Sequence, residues 1–346
     1  MSEFKIPIAN IYYLFCYAWN RFEEAEHLAV GADECPDLPN LLAKVLISGA
    51  RALLHRGLDR GYQPFQDNIG TVRGRIDLDG TIQLKAKHAP RLSCLFDELS
   101  HDVPHNQIIK ATMVRLARLR SLDGGLAHEL RRMVRHFGDV GDIRLTASDF
   151  ARVRLHRNNA YYDLMLKICR LAYDLMLPDP SGQGFQFQNV LRDERKMAAV
   201  FEEFVRNFYR TEQSIFRVKP LQLEWDAIPL TGSSVGRLPT MRTDIYLEAK
   251  HRRIVIDTKY YADALQYHQG SASFHSGNLY QLFAYLKNDA TRVPELPLAE
   301  GMLLYPKTGE PLDGQFQIQG HKVRIVTVDL SQPWRTIDGY LKGLLG

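Results

Sequence analysis

Two runs of alternating apolar and polar side chains within residues 242–261 have the period of two that indicates a β-hairpin. The polar pair at 250–251, between the runs, would form a two-residue turn. This turn fixes the pairing as Ala249 with Arg252, Leu247 with Ile254, Ile245 with Ile256, and Asp244 with Asp257. Because partners in an antiparallel ladder share a face, we expect the aliphatic side chains on one side and Asp244, Asp257 and Lys259 on the other.

The pattern after residue 188 predicts a C-terminal α/β domain with a mixed central sheet flanked by helices. It begins with a helix over 189–211, whose apolar residues recur at helical spacing and leave Glu202 and Glu203 to face elsewhere. The other predicted elements are a strand over 218–227, a loop over 229–239, the hairpin, a helix over 277–286, a strand over 301–305, a second hairpin over 315–328 and a helix from 333 to the end.

The N-terminal part predicts an α+β domain that combines helices with a small sheet or barrel. Short alternating runs between residues 61 and 86 are separated by glycines, as in a small twisted sheet. The predicted elements around them are a helix over 6–22 with Asn10 as its cap, a helix over 41–58 ending at Arg56-Gly57, a strand over 92–98, and helices over 104–120, 126–137 and 158–177. We expect the last helix to pack on the second domain, which gives domains 1–157 and 158–346.

Composition and cysteine usage narrow the class of protein. The chain has 346 residues, 45% of them hydrophobic and 24% charged, as in an ordinary two-domain globular protein. Four scattered cysteines favour a reducing cytoplasm and argue against a zinc site or disulfide framework. The apolar run 11–19 is too short to span a bilayer, so we expect no membrane contact. Since no P-loop and no G-x-G-x-x-G motif occurs, the chain should not hydrolyse nucleotides by itself.

The positive charge is concentrated in one segment. The net charge of the whole chain is +4, but residues 105–157 alone hold eleven Lys or Arg against five Asp or Glu. Such a segment could contact nucleic acid or an acidic protein surface, or be a solvated helix face. Arg73 and Arg75, on one face of a predicted strand, leave the same alternatives of a phosphate or acidic-partner contact and a solvated edge.

The opposed carboxylates of Asp244 and Asp257 indicate a metal site. Two carboxylates about 5 Å apart repel each other unless a cation lies between them, and Mg²⁺ prefers carboxylates, waters and phosphate oxygens. The peptide carbonyl between Asp257 and Lys259 could supply a further ligand. Lys259, pointing the same way, could orient or deprotonate a metal-bound water or neutralise charge on a phosphate. The alternative is a charged, solvated hairpin face.

An Asp followed about a dozen residues later by Asp-x-Lys on the next strand resembles the core of the PD-(D/E)xK nucleases. In that core a Glu on the preceding helix often completes the metal site, which implies Glu202, with Glu203 as the alternative. On the helix after the hairpin, Gln281 and Tyr285 resemble the Gln-x-x-x-Tyr motif of RecB-like members, where both lie beside the active site.

Longer segments resemble the McrC family, the nuclease subunits of McrBC modification-dependent restriction systems. They are Ile-Pro-Ile-Ala-Asn-Ile-Tyr-Tyr-Leu-Phe-Cys-Tyr-Ala-Trp near the N-terminus, Arg-Gly-Arg-Ile-Asp at 73–77, Arg-Thr-Asp-Ile at 242–245 and Ile-Asp-Thr-Lys-Tyr-Tyr at 256–261. The chain departs from the nuclease pattern at Thr243, where many PD-(D/E)xK proteins have Pro. The resemblance implies an McrB-like AAA+ GTPase hexamer as partner, engaged by the N-terminal domain, with GTP bound by the partner.

The expected activity is therefore Mg²⁺-dependent cleavage of double-stranded DNA directed by modified cytosine, together with stimulation of the partner's GTP hydrolysis. Asp244, Asp257 and Glu202 would hold one or two Mg²⁺ ions, and Lys259 would position or deprotonate the nucleophile. Two alternatives remain open. One is a stand-alone RecB-like nuclease, and the other is a catalytically silent adaptor that binds DNA or its partner.

Overall fold

The computed structural model describes residues 6–21, 35–178, 185–187, 193–230, 234–260, 265–268, 271–308 and 311–346. It is a mixed α/β protein that divides into two compact units. Unit 1 comprises residues 1–27, 31–35 and 189–346, and unit 2 comprises residues 28–30 and 36–188. Within the described ranges, no helix combines the length and the apolar character needed to cross a membrane.

The helices of the described residues are numbered in chain order. They are α1 (Ile8–Ala18), α2 (Leu38–Arg56), α3 (Leu78–Ala86), α4 (Pro104–Leu116), α5 (Gly124–Arg135), α6 (Ala147–Arg152), α7 (Tyr162–Leu175), α8 (Glu194–Glu212), α9 (Ser276–Arg292) and α10 (Trp334–Gly343). 

The strands fall into one large sheet and several small ones. They are β1 (Gly61–Ile69), β2 (Arg75–Ile76), β3 (Leu92–Ser100), β4 (Met176–Pro178), β5 (Phe185–Phe187), β6 (Arg217–Lys219), β7 (Gln222–Leu223), β8 (Met241–Arg242), β9 (Ile245–Glu248), β10 (Arg253–Thr258), β11 (Leu265–His268), β12 (Ser271–Phe274), β13 (Glu300–Pro306), β14 (Asp313–Ile318) and β15 (His321–Val328).

The central sheet of unit 1 has six strands in the order β14-β15-β13-β10-β9-β6. Strands β10, β13 and β15 run parallel, whereas β6, β9 and β14 pair antiparallel with their neighbours. Every residue of β10 is buried, as expected for a central strand whose two faces are both covered. The predicted mixed sheet is therefore confirmed.

The pairing of β9 with β10 follows the predicted register. Leu247 lies opposite Ile254, Ile245 lies opposite Ile256, and the Ala249 amide donates to the Arg252 carbonyl. The prediction was wrong in two respects. The ladder of described pairs ends at Ile245, so Asp244 lies just outside it. The face expected to be charged is also largely apolar, because Tyr246 and Val255 pack there in a core cluster with α9.

Helix α1 belongs to unit 1, not to an N-terminal domain as predicted. Its Tyr17 ring stacks on Trp334 with centroids 5.4 Å apart, and the Asn207 amide of α8 donates to the Tyr17 carbonyl over 2.9 Å. Asn10 was also wrongly predicted as a cap. It is buried, and its side-chain amide donates to the Leu330 and Gln332 carbonyls, each over 2.8 Å.

Unit 2 contains a small sheet in the order β1-β3-β2 and the helices α2 to α7. The predicted small sheet is thus present, but residues 78–86 form α3 where alternating strands were expected. Leu78 and Ile82 satisfy both patterns, since a spacing of four fits a strand face and one turn of helix equally. The predicted end of α2 at Gly57 is confirmed, with φ of 88° that suits glycine.

Helix α7 packs within unit 2, which differs from the predicted boundary at 157/158. The Tyr162 hydroxyl donates to Asn106 of α4 over 2.8 Å, and its ring meets that of His105 edge-on.

The predicted strand over 218–227 is two short strands, β6 and β7, separated around Pro220, which has no amide hydrogen for a ladder. The predicted start of α8 at residue 189 lies outside the described residues.

Candidate active site

The carboxylate of Asp244 is held against the end of the neighbouring strand. Its Oδ2 accepts hydrogen bonds from the Thr258 amide over 2.8 Å and from the Thr258 hydroxyl over 3.0 Å. The preceding residue, Thr243, is buried and donates its own amide to the Leu221 carbonyl over 2.9 Å. A proline at this position has no amide hydrogen and could not make this bond.

Asp257 and Lys259 form an ion pair at the end of β10. Asp257 has no exposed surface, and the Lys259 ammonium lies 2.8 Å from its Oδ2. Among the described residues, no hydrogen-bond donor reaches Asp257 Oδ1. A buried carboxylate oxygen without a donor is energetically costly unless a cation or a ligand satisfies it.

The pKa of Asp257 reflects this environment. Burial, followed by the charge of Asp244, raises it from 3.8 to about 7, although Lys259 acts in the opposite direction. Glu202 also raises the pKa of Asp257, so all three predicted metal ligands interact electrostatically. A carboxylate that is hard to ionise without a cation is a marker of a functional site.

Gln281 and Tyr285 lie together beside Lys259 in a chain of hydrogen bonds. The Lys259 ammonium donates to Gln281 Oε1 over 2.9 Å, and Gln281 Nε2 donates to the Tyr285 hydroxyl over 2.7 Å. Burial raises the pKa of Tyr285, with further contributions from Asp257 and Asp244. The Lys259 ammonium is therefore contacted both by Asp257 and by Gln281 of helix α9.

Glu202 is brought to the site by α8. Burial and then the charge of Asp244 raise its pKa, while its ion pair with Arg206 lowers it. Arg206 Nη1 lies 2.9 Å from Glu202 Oε1, and Glu203 contacts the same guanidinium. Asp244 and Asp257 thus interact with Glu202, which makes it the better candidate of the two helix carboxylates.

The carboxylates meet only part of the requirements of a metal site. Within the described residues, no group of three or more His, Cys, Asp or Glu side chains is arranged to hold a metal ion as it stands. The donor chemistry nevertheless suits Mg²⁺, because Asp257 offers a buried oxygen that no donor of the described residues reaches, and Asp244 directly precedes the neighbouring strand β9. These residues therefore fit an ion bound mainly by one or two carboxylates and water.

Comparisons with known proteins show which family the chain belongs to. A family model described as "McrBC 5-methylcytosine restriction system component" matches residues 10–306. The chain belongs to this family. A relative from Escherichia coli (strain K12), named "Type IV methyl-directed restriction enzyme EcoKMcrBC", is 30% identical over 351 residues, which cover 99% of this chain and 100% of the relative.

A solved structure shares the fold. It is entitled "Refined half-complex from tetradecameric assembly of Thermococcus gammatolerans McrB AAA+ hexamers with bound McrC". The TM-score is 0.62 at 17% sequence identity, and the match covers 98% of this chain and 75% of that chain. At this identity the likeness concerns the fold alone.

Two residues of the site were missed in the sequence, Thr258 and Arg206. Thr258 lies between the two residues of the Asp-x-Lys motif, where only its main-chain carbonyl was considered. Arg206 follows Glu202 by four residues on α8, a spacing that indicates a helical ion pair. The sequence held no signal for its second contact, with the Asp244 carbonyl.

The basic segment at 105–157 uses part of its charge within unit 2. Lys110 is buried and lies 2.9 Å from Asp142, and Arg131 donates to the Ala117 carbonyl over 2.9 Å. Arg115 lies over the rings of Tyr173 and Phe185. These residues stabilise the unit, so they are poor candidates for the expected contact with DNA or a protein partner.

Proposed function

We propose that this chain is the endonuclease subunit of a GTP-dependent restriction system directed by modified cytosine. Family membership and the full-length likeness to a methyl-directed restriction enzyme support this proposal. The chemistry rests on the buried Asp257, which pairs with Lys259 through one oxygen and, among the described residues, has no donor at the other. That arrangement is costly in a purely structural site and useful in one that binds a cation.

The proposed chemistry is hydrolysis of a DNA phosphodiester by a PD-(D/E)xK site. Asp244, Asp257 and Glu202 would hold Mg²⁺, whose positive charge, when bound, lowers the pKa of water and offsets charge on the phosphate. The protein contributes the placement of these groups. Thr258 fixes the Asp244 carboxylate through two hydrogen bonds to Oδ2, so the direction of Oδ1 is defined as well.

Lys259 would act on the nucleophilic water and on the phosphate. Its ammonium stays close to Asp257, which it helps to ionise, and can donate to a phosphate oxygen or orient water. Gln281 holds the ammonium in place, and Tyr285 orients the Gln281 amide. We assign to these two residues a positioning role that keeps the lysine directed at the reacting phosphate.

The partner in this proposal is an McrB-like AAA+ hexamer that binds GTP and engages the DNA. The structural relative was solved with McrB AAA+ hexamers, and its fold matches almost all of this chain. Since unit 1 contains all the candidate catalytic residues and α1, we assign the contact with the GTPase, and the stimulation of GTP hydrolysis, to unit 2.

A cleavage assay with purified components tests the proposal. The chain is incubated with methylated plasmid, Mg²⁺, GTP and an McrB-like GTPase, and each component is omitted in turn. We expect cutting only in the complete mixture, and faster GTP hydrolysis when the chain is present. Cutting without GTPase or GTP would indicate a stand-alone nuclease. Faster GTP hydrolysis without cutting would indicate an adaptor.

A further inference from the structure

One guanidinium joins helix α8 to Asp244, the residue that precedes β9. Arg206 is only 4% exposed. Its Nη1 donates to Glu202 Oε1 and to the Asp244 main-chain carbonyl, each over 2.9 Å, and its other terminal nitrogen contacts Glu203. Arginine suits this task because its planar guanidinium presents several donors in fixed directions, which a lysine ammonium does not.

Asp244 is therefore held on two sides by neighbouring elements. Thr258 of β10 donates to its carboxylate, and Arg206 of α8 donates to its carbonyl. The same Arg206 nitrogen fixes Glu202. A single buried side chain thus links the Glu202 carboxylate to the main chain of Asp244, whose own carboxylate is oriented by Thr258.

We propose that Arg206 is a positioning residue that sets the divalent-ion affinity of the site by holding Glu202 and Asp244 at a fixed separation. The inference rests on the proposed function, since it assumes that these carboxylates bind the ion. Groups that orient metal ligands commonly change metal affinity about 10–100-fold when they are replaced.

Electrostatics alone predicts a change in ion affinity, after replacement of Arg206, that is opposite in direction to the change expected from positioning. A positive guanidinium close to a cation site repels the cation, so its removal would tighten ion binding if charge alone mattered. Positioning predicts weaker binding after removal, because Glu202 would lose its fixed direction. The sign of the change in ion affinity therefore separates the two roles.

Calorimetric titration of the full chain with Mn²⁺, without DNA or partner, measures this sign. We expect the dissociation constant to rise about tenfold in Arg206→Met and also to rise in Arg206→Lys, which keeps the charge but not the fork of donors. Glu203→Gln is the matched control. It removes the exposed partner of Arg206 and should change the constant by less than about twofold.

A double-mutant cycle tests whether Arg206 acts through Glu202. In a Glu202→Gln background, Arg206→Lys should weaken Mn²⁺ binding much less than it does in the wild-type chain. Thermal unfolding checks that each variant folds, and the lysine variant answers the question if the methionine variant does not fold. Unchanged or tighter Mn²⁺ binding in the Arg206 variants would overturn the positioning role of Arg206 but not the proposed metal site. A wild-type chain that binds no Mn²⁺ would overturn the proposed site itself.

Discussion

The Lys259 ammonium lies 2.8 Å from Oδ2 of Asp257, a carboxylate with no exposed surface. The two residues lie two positions apart near the end of β10, so both side chains project to the same side of the sheet. The pair does not fully stabilise the carboxylate, since burial and Asp244 still raise the pKa of Asp257 to about 7. The folded protein therefore retains a group that costs stability when it is ionised.

Replacing Asp257 by Asn should make the protein more stable above neutral pH. The folded pKa of Asp257, about 7, exceeds its ordinary value of 3.8, so the carboxyl binds a proton more tightly in the folded state. The stabilisation that the protonated Asp257 carboxyl contributes is fully present below about pH 4 and is lost as the pH rises through 7. We expect Asp257→Asn to gain roughly 2–4 kcal/mol near pH 8 and nothing near pH 4. Urea unfolding in EDTA measures this difference.

Asp289 provides the control for that experiment. It is equally buried, but Arg253 and Arg292 donate to its two oxygens over 3.0 and 2.7 Å. Asp289→Asn should lower the free energy of unfolding by about 3 kcal/mol near pH 8, because Arg253 is left buried without its anion. An Asp257→Asn protein that is as destabilised as Asp289→Asn would show that Asp257 is a structural ion-pair partner.

Loss of the Thr258 hydroxyl should loosen the Asp244 carboxylate. Thr258→Val keeps the shape and the amide donor but removes the 3.0 Å hydroxyl bond to Oδ2. We expect Mn²⁺ affinity to fall about three- to tenfold with little change in stability. Thr327→Val is the comparison, since the Thr327 hydroxyl on β15 of the same sheet accepts a hydrogen bond from the Leu312 amide. Equal affinities in the two variants would contradict the role given to Thr258.

Substitutions of Gln281 and Tyr285 on α9 should slow cleavage more strongly the closer the replaced residue lies to Lys259. Gln281→Leu removes the acceptor of the 2.9 Å bond from the ammonium, so cleavage should slow about tenfold in single-turnover assays with partner and GTP. Tyr285→Phe removes only the next bond in the chain, and we expect a two- to threefold effect. If Tyr285→Phe proves slower than Gln281→Leu, the order of the hydrogen-bond chain does not govern the lysine.

Asn10 should be important for folding although it is far from the site in sequence. Asn10→Leu would leave the carbonyls of Leu330 and Gln332 without their side-chain donor. The expected loss is about 2 kcal/mol in the free energy of unfolding, measured by urea titration. Asn68→Leu is the control, because Asn68 lies on an exposed part of β1 and should change stability by less than about 0.5 kcal/mol. Similar losses in both variants would contradict a specific role for Asn10.

The sequence predicted those parts of the fold that depend on local periodicity. The β9–β10 register followed from a strand period of two and a short turn, and the end of α2 followed from a glycine at 57. Residues 78–86 were mistaken for strand because their apolar spacing fits both periods. The place of α1 could not be predicted, because Tyr17 and Asn10 find their partners some 190 to 320 positions away.

The candidate site was predictable to the same extent. Asp257 and Lys259 belong to one short Asp-x-Lys motif, and Gln281 and Tyr285 share one helix face, so local spacing was sufficient to group them. Arg206 was missed because its bond to the Asp244 carbonyl joins residues 38 positions apart on different elements. That no donor within the described ranges reaches Oδ1 of the buried Asp257 is likewise a property of packing, which no sequence pattern predicts.

The most direct test of the nuclease assignment is cleavage of methylated DNA by Asp257→Asn in the presence of Mg²⁺, GTP and the GTPase partner. We predict that cutting falls to background while stimulation of GTP hydrolysis by the chain is retained, since the substitution leaves unit 2 unchanged. Wild-type rates of cutting by Asp257→Asn would contradict the assignment of this carboxylate to the reaction.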